Sequence, residues 1–274
     1  MHFQGDNHTV RRVDFGPCCS YIEHVGADFL PMIFQFTLFA ASIAAGAIAA
    51  ISGFGIGSVL TPVVSTQIDT RLAVAIVSIP HLFGTLFRFV RLRKYVNRSL
   101  AMTFGIASAI GGLGGAVLNA YAQGSIIAYV FGGLLVFAGL SGITGFAERM
   151  ELKGAWRWVG GFVSAAFGGL VGNQGGIRSA AMLGFDLSKE SFVATATAIA
   201  LVVDGARMPV YFAIEYDRII QSSPIVFIAT AGVVTGTLLG ARLLKRIPER
   251  TFKRVVSMLV LGLGIFMLLR AGQN

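Results

Sequence analysis

The feature that most constrains this chain is a succession of eight long apolar runs, at residues 32–51, 72–90, 100–121, 126–146, 158–171, 192–214, 224–241 and 255–269. A hydrocarbon layer about 30 Å thick is crossed by about 20 apolar residues of helix, so runs of this length are candidate spans. They are continuous instead of alternating, which excludes a transmembrane β-barrel. Only 13% of the residues are charged, about half the share in a soluble domain. The sequence therefore predicts an all-α integral membrane protein of about eight transmembrane helices, multi-pass in the cell inner membrane, with lipid as its surroundings.

The net charge is +9, but the basic residues lie in short clusters between apolar runs, which is the pattern of membrane anchors and not of nucleic-acid binding. Short cytoplasmic loops collect Lys and Arg. The loops carrying Arg91, Arg93, Lys94 and Arg98, then Arg149, Lys153 and Arg157, then Arg242, Lys245, Arg246, Arg250, Lys253 and Arg254 are expected inside. The uncharged Ala122–Ser125 loop and the loop with Glu215, Asp217 and Arg218 are expected outside. Residues 1–30 form a polar N-terminal segment without the pattern of a signal peptide. Its adjacent Cys18 and Cys19 specify neither a disulfide framework nor a metal site.

Placing residue n beside residue n+119 pairs Gly53 with Gly172, Gly57 with Gly176, Val74 with Val193, Ala75 with Ala194, Leu82 with Leu201 and Arg88 with Arg207. This predicts a duplication, with a first transmembrane repeat at 31–147, a cytoplasmic linker at 148–157 and a second repeat at 158–271. The loop charges have opposite sense in the two halves, so the repeats are expected to be inverted, as in many transporters. Inversion needs an odd number of crossings per half, so the first run of each half is expected to enter and return on one side as a broken hairpin.

The breaks are glycine-rich: Ser52-Gly53-Phe54-Gly55-Ile56-Gly57-Ser58 and Gly172-Asn173-Gln174-Gly175-Gly176-Ile177-Arg178. Within a membrane, unwound backbone is tolerated only where protein buries it or it lines a wet cavity. The half-helices after the breaks would present free N–H groups and the positive end of a dipole, which favour an anion. The candidate anion-binding residues are Gly53, Gly55, Gly57, Ser58 and Thr61 from the first break, with Asn173, Gln174, Gly175, Gly176 and Arg178 from the second. Arg178 lies far from either expected surface, where a cation is costly unless it meets water or an anion. Asp204 and Arg207, three apart on one helix face, are expected to pair. Asp204 or His81 could take a coupling proton, and Arg88 is expected to reach the headgroups. The Gly111-Gly112-Leu113-Gly114-Gly115 stretch reads as close helix packing.

The segment Gly53-Phe54-Gly55-Ile56-Gly57-Ser58-Val59-Leu60-Thr61-Pro62 and its echo from Gly168 to Leu183 resemble the duplicated signature of the TauE/SafE sulfite exporter family, the 4-toluene sulfonate uptake permeases. The second copy departs from that pattern, with Ala181 where a proline resembling Pro62 is expected. The resemblance implies a permease, in the export direction, for small organosulfur anions such as sulfite, sulfoacetate or other sulfonates. A coupling proton or cation would drive it, no cofactor or metal is implied, and a homodimer is allowed. An anion channel or a permease for a carboxylate is the alternative. An intramembrane enzyme is disfavoured, because no Gly-x-Ser-x-Gly elbow, His-Glu-x-x-His helix or paired intramembrane aspartates occur.

Overall fold

The computed structural model describes residues 32–52, 56–146, 154–172, 187–243 and 249–272, with Arg178, Met182 and Phe185 between them. Every regular element among these is a helix: α1 (Met32–Ser52), α2 (Ile56–Val64), α3 (Thr70–Leu92), α4 (Arg98–Tyr121), α5 (Gly124–Thr144), α6 (Trp156–Val171), α7 (Lys189–Gln221), α8 (Ser223–Leu243) and α9 (Glu249–Ala271). The caps follow from local sequence. Asp69 accepts from the Arg71 and Leu72 amides at the start of α3, and Asn97 from Leu100 at the start of α4. Ser188 accepts from Ser191 at the start of α7. Each satisfies an orphan N–H of a first turn. Gly172 ends α6 with φ 75°, a left-handed conformation that glycine adopts without the clash of a Cβ.

The exterior is apolar. Phe36, Met102, Ile106, Phe227 and Leu269 are exposed, which in water would be a liability and in lipid is the expected outer face. Exposed aromatics ring both ends, Tyr121 and Tyr216 at one and Tyr95, Trp156 and Trp158 at the other, as at membrane–water interfaces. Of the eight expected spans, five helices among the described residues are long and apolar enough to cross on their own, those covering 32–50, 70–95, 98–121, 124–144 and 190–221. The described apolar stretches of α6, α8 and α9 are shorter, at Trp158–Val171, Ser223–Leu239 and Val260–Ala271, although α8 and α9 themselves run 21 and 23 residues. Among the described residues, length and composition alone thus support five crossings, and α6 stops at Gly172.

Helices at corresponding places in the two halves meet. α3 and α7 cross antiparallel: Arg71 pairs with Glu215 at 2.7 Å, His81 with Asp204 at 2.7 Å, and the Asn97 amide donates to Thr195 at 3.0 Å. α5 and α9 are antiparallel too, with Gly132 against Leu268, Gly139 against Leu261 and Gly142 against Ser257. By contrast, α1 lies parallel to α8 and α4 parallel to α6. At the first contact Gly232 meets Phe39 and Ser42, and Gly236 meets Ile43. At the second Gly111 meets Phe162, and Gly115 meets Ala166. Since α8 begins at the Glu215 end, α1 descends from that end. α2 returns to it, because Thr66 just beyond α2 accepts from Arg270 at the end of α9. The first hairpin thus enters and leaves at one end of the bundle.

These contacts bring backbones together through missing side chains, the usual mode of helix association in lipid. A methyl on Gly115 would strike the Ala166 carbonyl, whereas one on Gly114 would meet nothing. Gly114→Ala is therefore expected to leave folding intact and to add about 0.5–1 kcal/mol of stability, the ordinary gain of alanine over glycine within a helix. Thermal unfolding in detergent checks this, and a fall in unfolding temperature would contradict it.

Candidate functional site

Polar side chains buried between the helices collect where α3 crosses α7. Asp204 is fully buried and Arg207 nearly so. The carboxylate holds Arg207 Nη2 at 2.8 Å and His81 Nδ1 at 2.7 Å. The Thr85 hydroxyl lies 3.5 Å from that same histidine nitrogen and accepts from Arg88 Nη2 at 3.3 Å. Each arginine then reaches the end of a broken helix. Arg88 donates to the Ala49 carbonyl near the end of α1, and Arg207 donates to the Gly168 carbonyl near the end of α6 at 2.5 Å. Tyr211 adds a hydrogen bond to the neighbouring Gly169 carbonyl. One polar chain therefore runs from Ala49 through Arg88, Thr85, His81, Asp204 and Arg207 to Gly168.

Both ends of the polar chain place an arginine on a helix-end carbonyl. The last carbonyls of a helix lack partners, and the end carries partial negative charge. A guanidinium from the next long helix meets that negative charge at each end, at Gly168 beside the Gly172 amide that already donates to the same carbonyl at 3.0 Å. Each arginine reaches back 39 residues to its carbonyl, and both donors and both acceptors stand in the n to n+119 register.

The breaks also touch each other. Gly57, in the first turn of α2, lies so close to the Gly172 carbonyl that any Cβ there would collide with it. Thr61 is fully buried one turn further along, beside Gly172, and its hydroxyl has no hydrogen-bond partner among the described residues. Ser58 is buried between them in sequence. Arg178 is buried, 4% exposed, and within electrostatic reach of Asp204 and Arg207. Of the expected binding residues, Gly57, Ser58, Thr61 and Arg178 are thus placed in the bundle interior. Gly53, Gly55, Asn173, Gln174, Gly175 and Gly176 lie outside the described residues, as do residues 1–30.

Sequence reasoning paired Asp204 with Arg207 correctly but treated His81 separately; the crossing of α3 and α7 joins all three. Arg88 requires a correction. It does not snorkel to the headgroups but is 4% exposed and capped onto Ala49, because α1 ends beside it and offers a carbonyl nearer than any headgroup. The signal was present in the register that pairs it with Arg207. Thr85 and Tyr211 were missed, and nothing in their local sequence marks them. No grouping of three His, Cys, Asp or Glu able to hold a metal occurs among the described residues.

A helical bundle with an apolar surface, interrupted helices and charged side chains sealed at its centre is built as a membrane transporter is built. The sulfite exporter TauE/SafE family matches residues 38–267, and the chain belongs to that family. The match extends from α1 into α9 and includes both breaks and the whole polar chain. Searches of curated proteins and of solved structures find no match.

Proposed function

We propose that this protein is a secondary transporter that exports a small organosulfur oxyanion, such as sulfite, sulfoacetate or another sulfonate, across the inner membrane by alternating access at a site between the two breaks. Its halves, 31–147 and 158–271, act as inverted repeats joined by the linker at 148–157, after the N-terminal segment at 1–30. The antiparallel crossing of α3 with α7 and of α5 with α9 supports the inversion, since those helices are repeat mates.

The observation that carries the functional reading is the contact of Gly57 with Gly172. It brings the amide-bearing start of α2 against the second break, with Arg178 buried in the same interior. Amide N–H groups and a guanidinium match the oxygens of a sulfonate or sulfite. Gly53, Gly55, Ser58, Thr61, Asn173, Gln174, Gly175 and Gly176 complete the proposed lining. A coupling proton would sit on the His81–Asp204 pair, and Arg207 holds that pair in place.

Arg178→Ala is expected to weaken sulfite and sulfoacetate binding to purified protein by about tenfold to a hundredfold, the worth of charge-assisted hydrogen bonds. Equal binding of every anion by variant and parent would refute the site. Flux in proteoliposomes that saturates and shows counterflow separates a transporter from an anion channel.

A further inference from the structure

The two ends of the polar chain differ in charge. In the second half Asp204, one turn before Arg207, neutralises it at 2.8 Å. The residue in the equivalent register of the first half is Thr85, which offers Arg88 a hydroxyl and no charge. Among the described residues no carboxylate lies within ion-pair distance of Arg88 and its Nε has no hydrogen-bond partner, although the side chain is 4% exposed. A buried cation left in this condition is costly unless an anion joins it.

The surroundings supply the rest of an anion site. The start of α2 lies beside Gly84, with Ile56 Cδ1 3.1 Å from where a Cβ on that glycine would stand. Gly84 is one turn before Arg88 on the same face of α3, so the first residue of α2 packs its side chain on the helix face that carries the guanidinium. Arg88 is also within electrostatic reach of Arg178 and Asp204. The described charged groups around it are therefore Arg178 as a cation, Asp204 as the carboxylate and His81 on its own helix.

We propose that Arg88 is a second anion-binding guanidinium, acting with Arg178 on the same substrate, and that the site consequently selects anions carrying two negative charges. This rests on the transport reading above and narrows its substrate class to doubly charged oxyanions, sulfite and sulfoacetate among the sulfur compounds. Singly charged methanesulfonate and zwitterionic taurine leave one cation unmatched.

The test supplies the missing carboxylate. Thr85→Asp places beside Arg88 the charge that Asp204 gives Arg207 and leaves the arginine in reach of Ala49; Thr85→Asn keeps the size without the charge. Binding to purified full-length protein is measured at a pH alkaline enough to hold sulfite as the dianion, for sulfite, sulfoacetate, methanesulfonate, taurine and malonate, with thermal unfolding to confirm a folded bundle. The parent and Thr85→Asn are expected to bind dianions at least about tenfold more tightly than methanesulfonate, and Thr85→Asp to lose about tenfold to a hundredfold of dianion affinity while still folded. Dianion binding that is unchanged in a folded Thr85→Asp protein would overturn the role of Arg88 and leave the transport reading intact. Equal affinity of the parent for methanesulfonate and sulfite would overturn the charge selection. If the parent binds malonate but neither sulfur dianion, and Thr85→Asp abolishes that binding, the role of Arg88 stands and the organosulfur reading fails. If Thr85→Asp does not fold, Arg88→Gln is compared with Arg88→Lys; dianion binding retained in both would likewise overturn the proposal.

Discussion

Replacing Asp204 with alanine is expected to cost about 3–5 kcal/mol, the penalty for breaking a buried ion pair from one side. The carboxylate has no exposed surface and holds both Arg207 and His81. Its loss strands a cation that is 1% exposed and cuts the chain joining the two broken helix ends. Asp204→Ala should therefore appear as a large drop in unfolding temperature and in the monodisperse yield after extraction. Asp204→Asn should lose less, since an amide preserves hydrogen bonding. Removing both charges, as in Asp204→Leu with Arg207→Met, should recover part of the stability, because two well-packed apolar side chains avoid the stranded charge. An Asp204→Ala protein that unfolds at the parent's temperature would show that the pair does not hold the crossing together.

Gly57→Ala is the second large effect, and its target is function more than folding. The added methyl meets the Gly172 carbonyl, which is backbone and cannot rotate away, so one break must move off the other. Overpacking of this kind costs about 1–3 kcal/mol. The displaced groups are those proposed to bind the substrate, so counterflow in proteoliposomes should fall towards the level of empty vesicles even where the variant remains folded. Gly105→Ala is the control, because its methyl would find only Val202 at 4.0 Å, an ordinary contact. Full transport by Gly57→Ala would mean that the two breaks need not touch for substrate to pass.

Much of the architecture was legible because lipid imposes a simple code. Apolar runs follow from keeping backbone polar groups and charges out of hydrocarbon, and each apolar run falls on a helix. The n to n+119 register could be read from a few identities such as Gly53 with Gly172 and Arg88 with Arg207. The sequence nonetheless sent Arg88 to the headgroups and Arg207 to Asp204, and only the structure gives both arginines the same work on a helix-end carbonyl. Depth was harder. Arg88 is four residues before the end of α3, and sequence distance from an end suggested that it would reach water. The nearby end of α1, fixed by the first break, provided the closer partner.

Local sequence determined the helices, their caps at Asp69, Asn97 and Ser188, and the glycine interruptions, because those depend on neighbours within a turn. It also fixed the charge asymmetry between Thr85 and Asp204. Only the tertiary structure decided that His81 faces Asp204 across 123 residues of chain, that Gly57 rests on Gly172, and that the arginines cap Ala49 and Gly168. Those pairings depend on how helices from opposite halves cross. In lipid, the crossing is set by where small residues let two backbones approach and where buried polar groups find each other, and neither condition can be read from one segment alone.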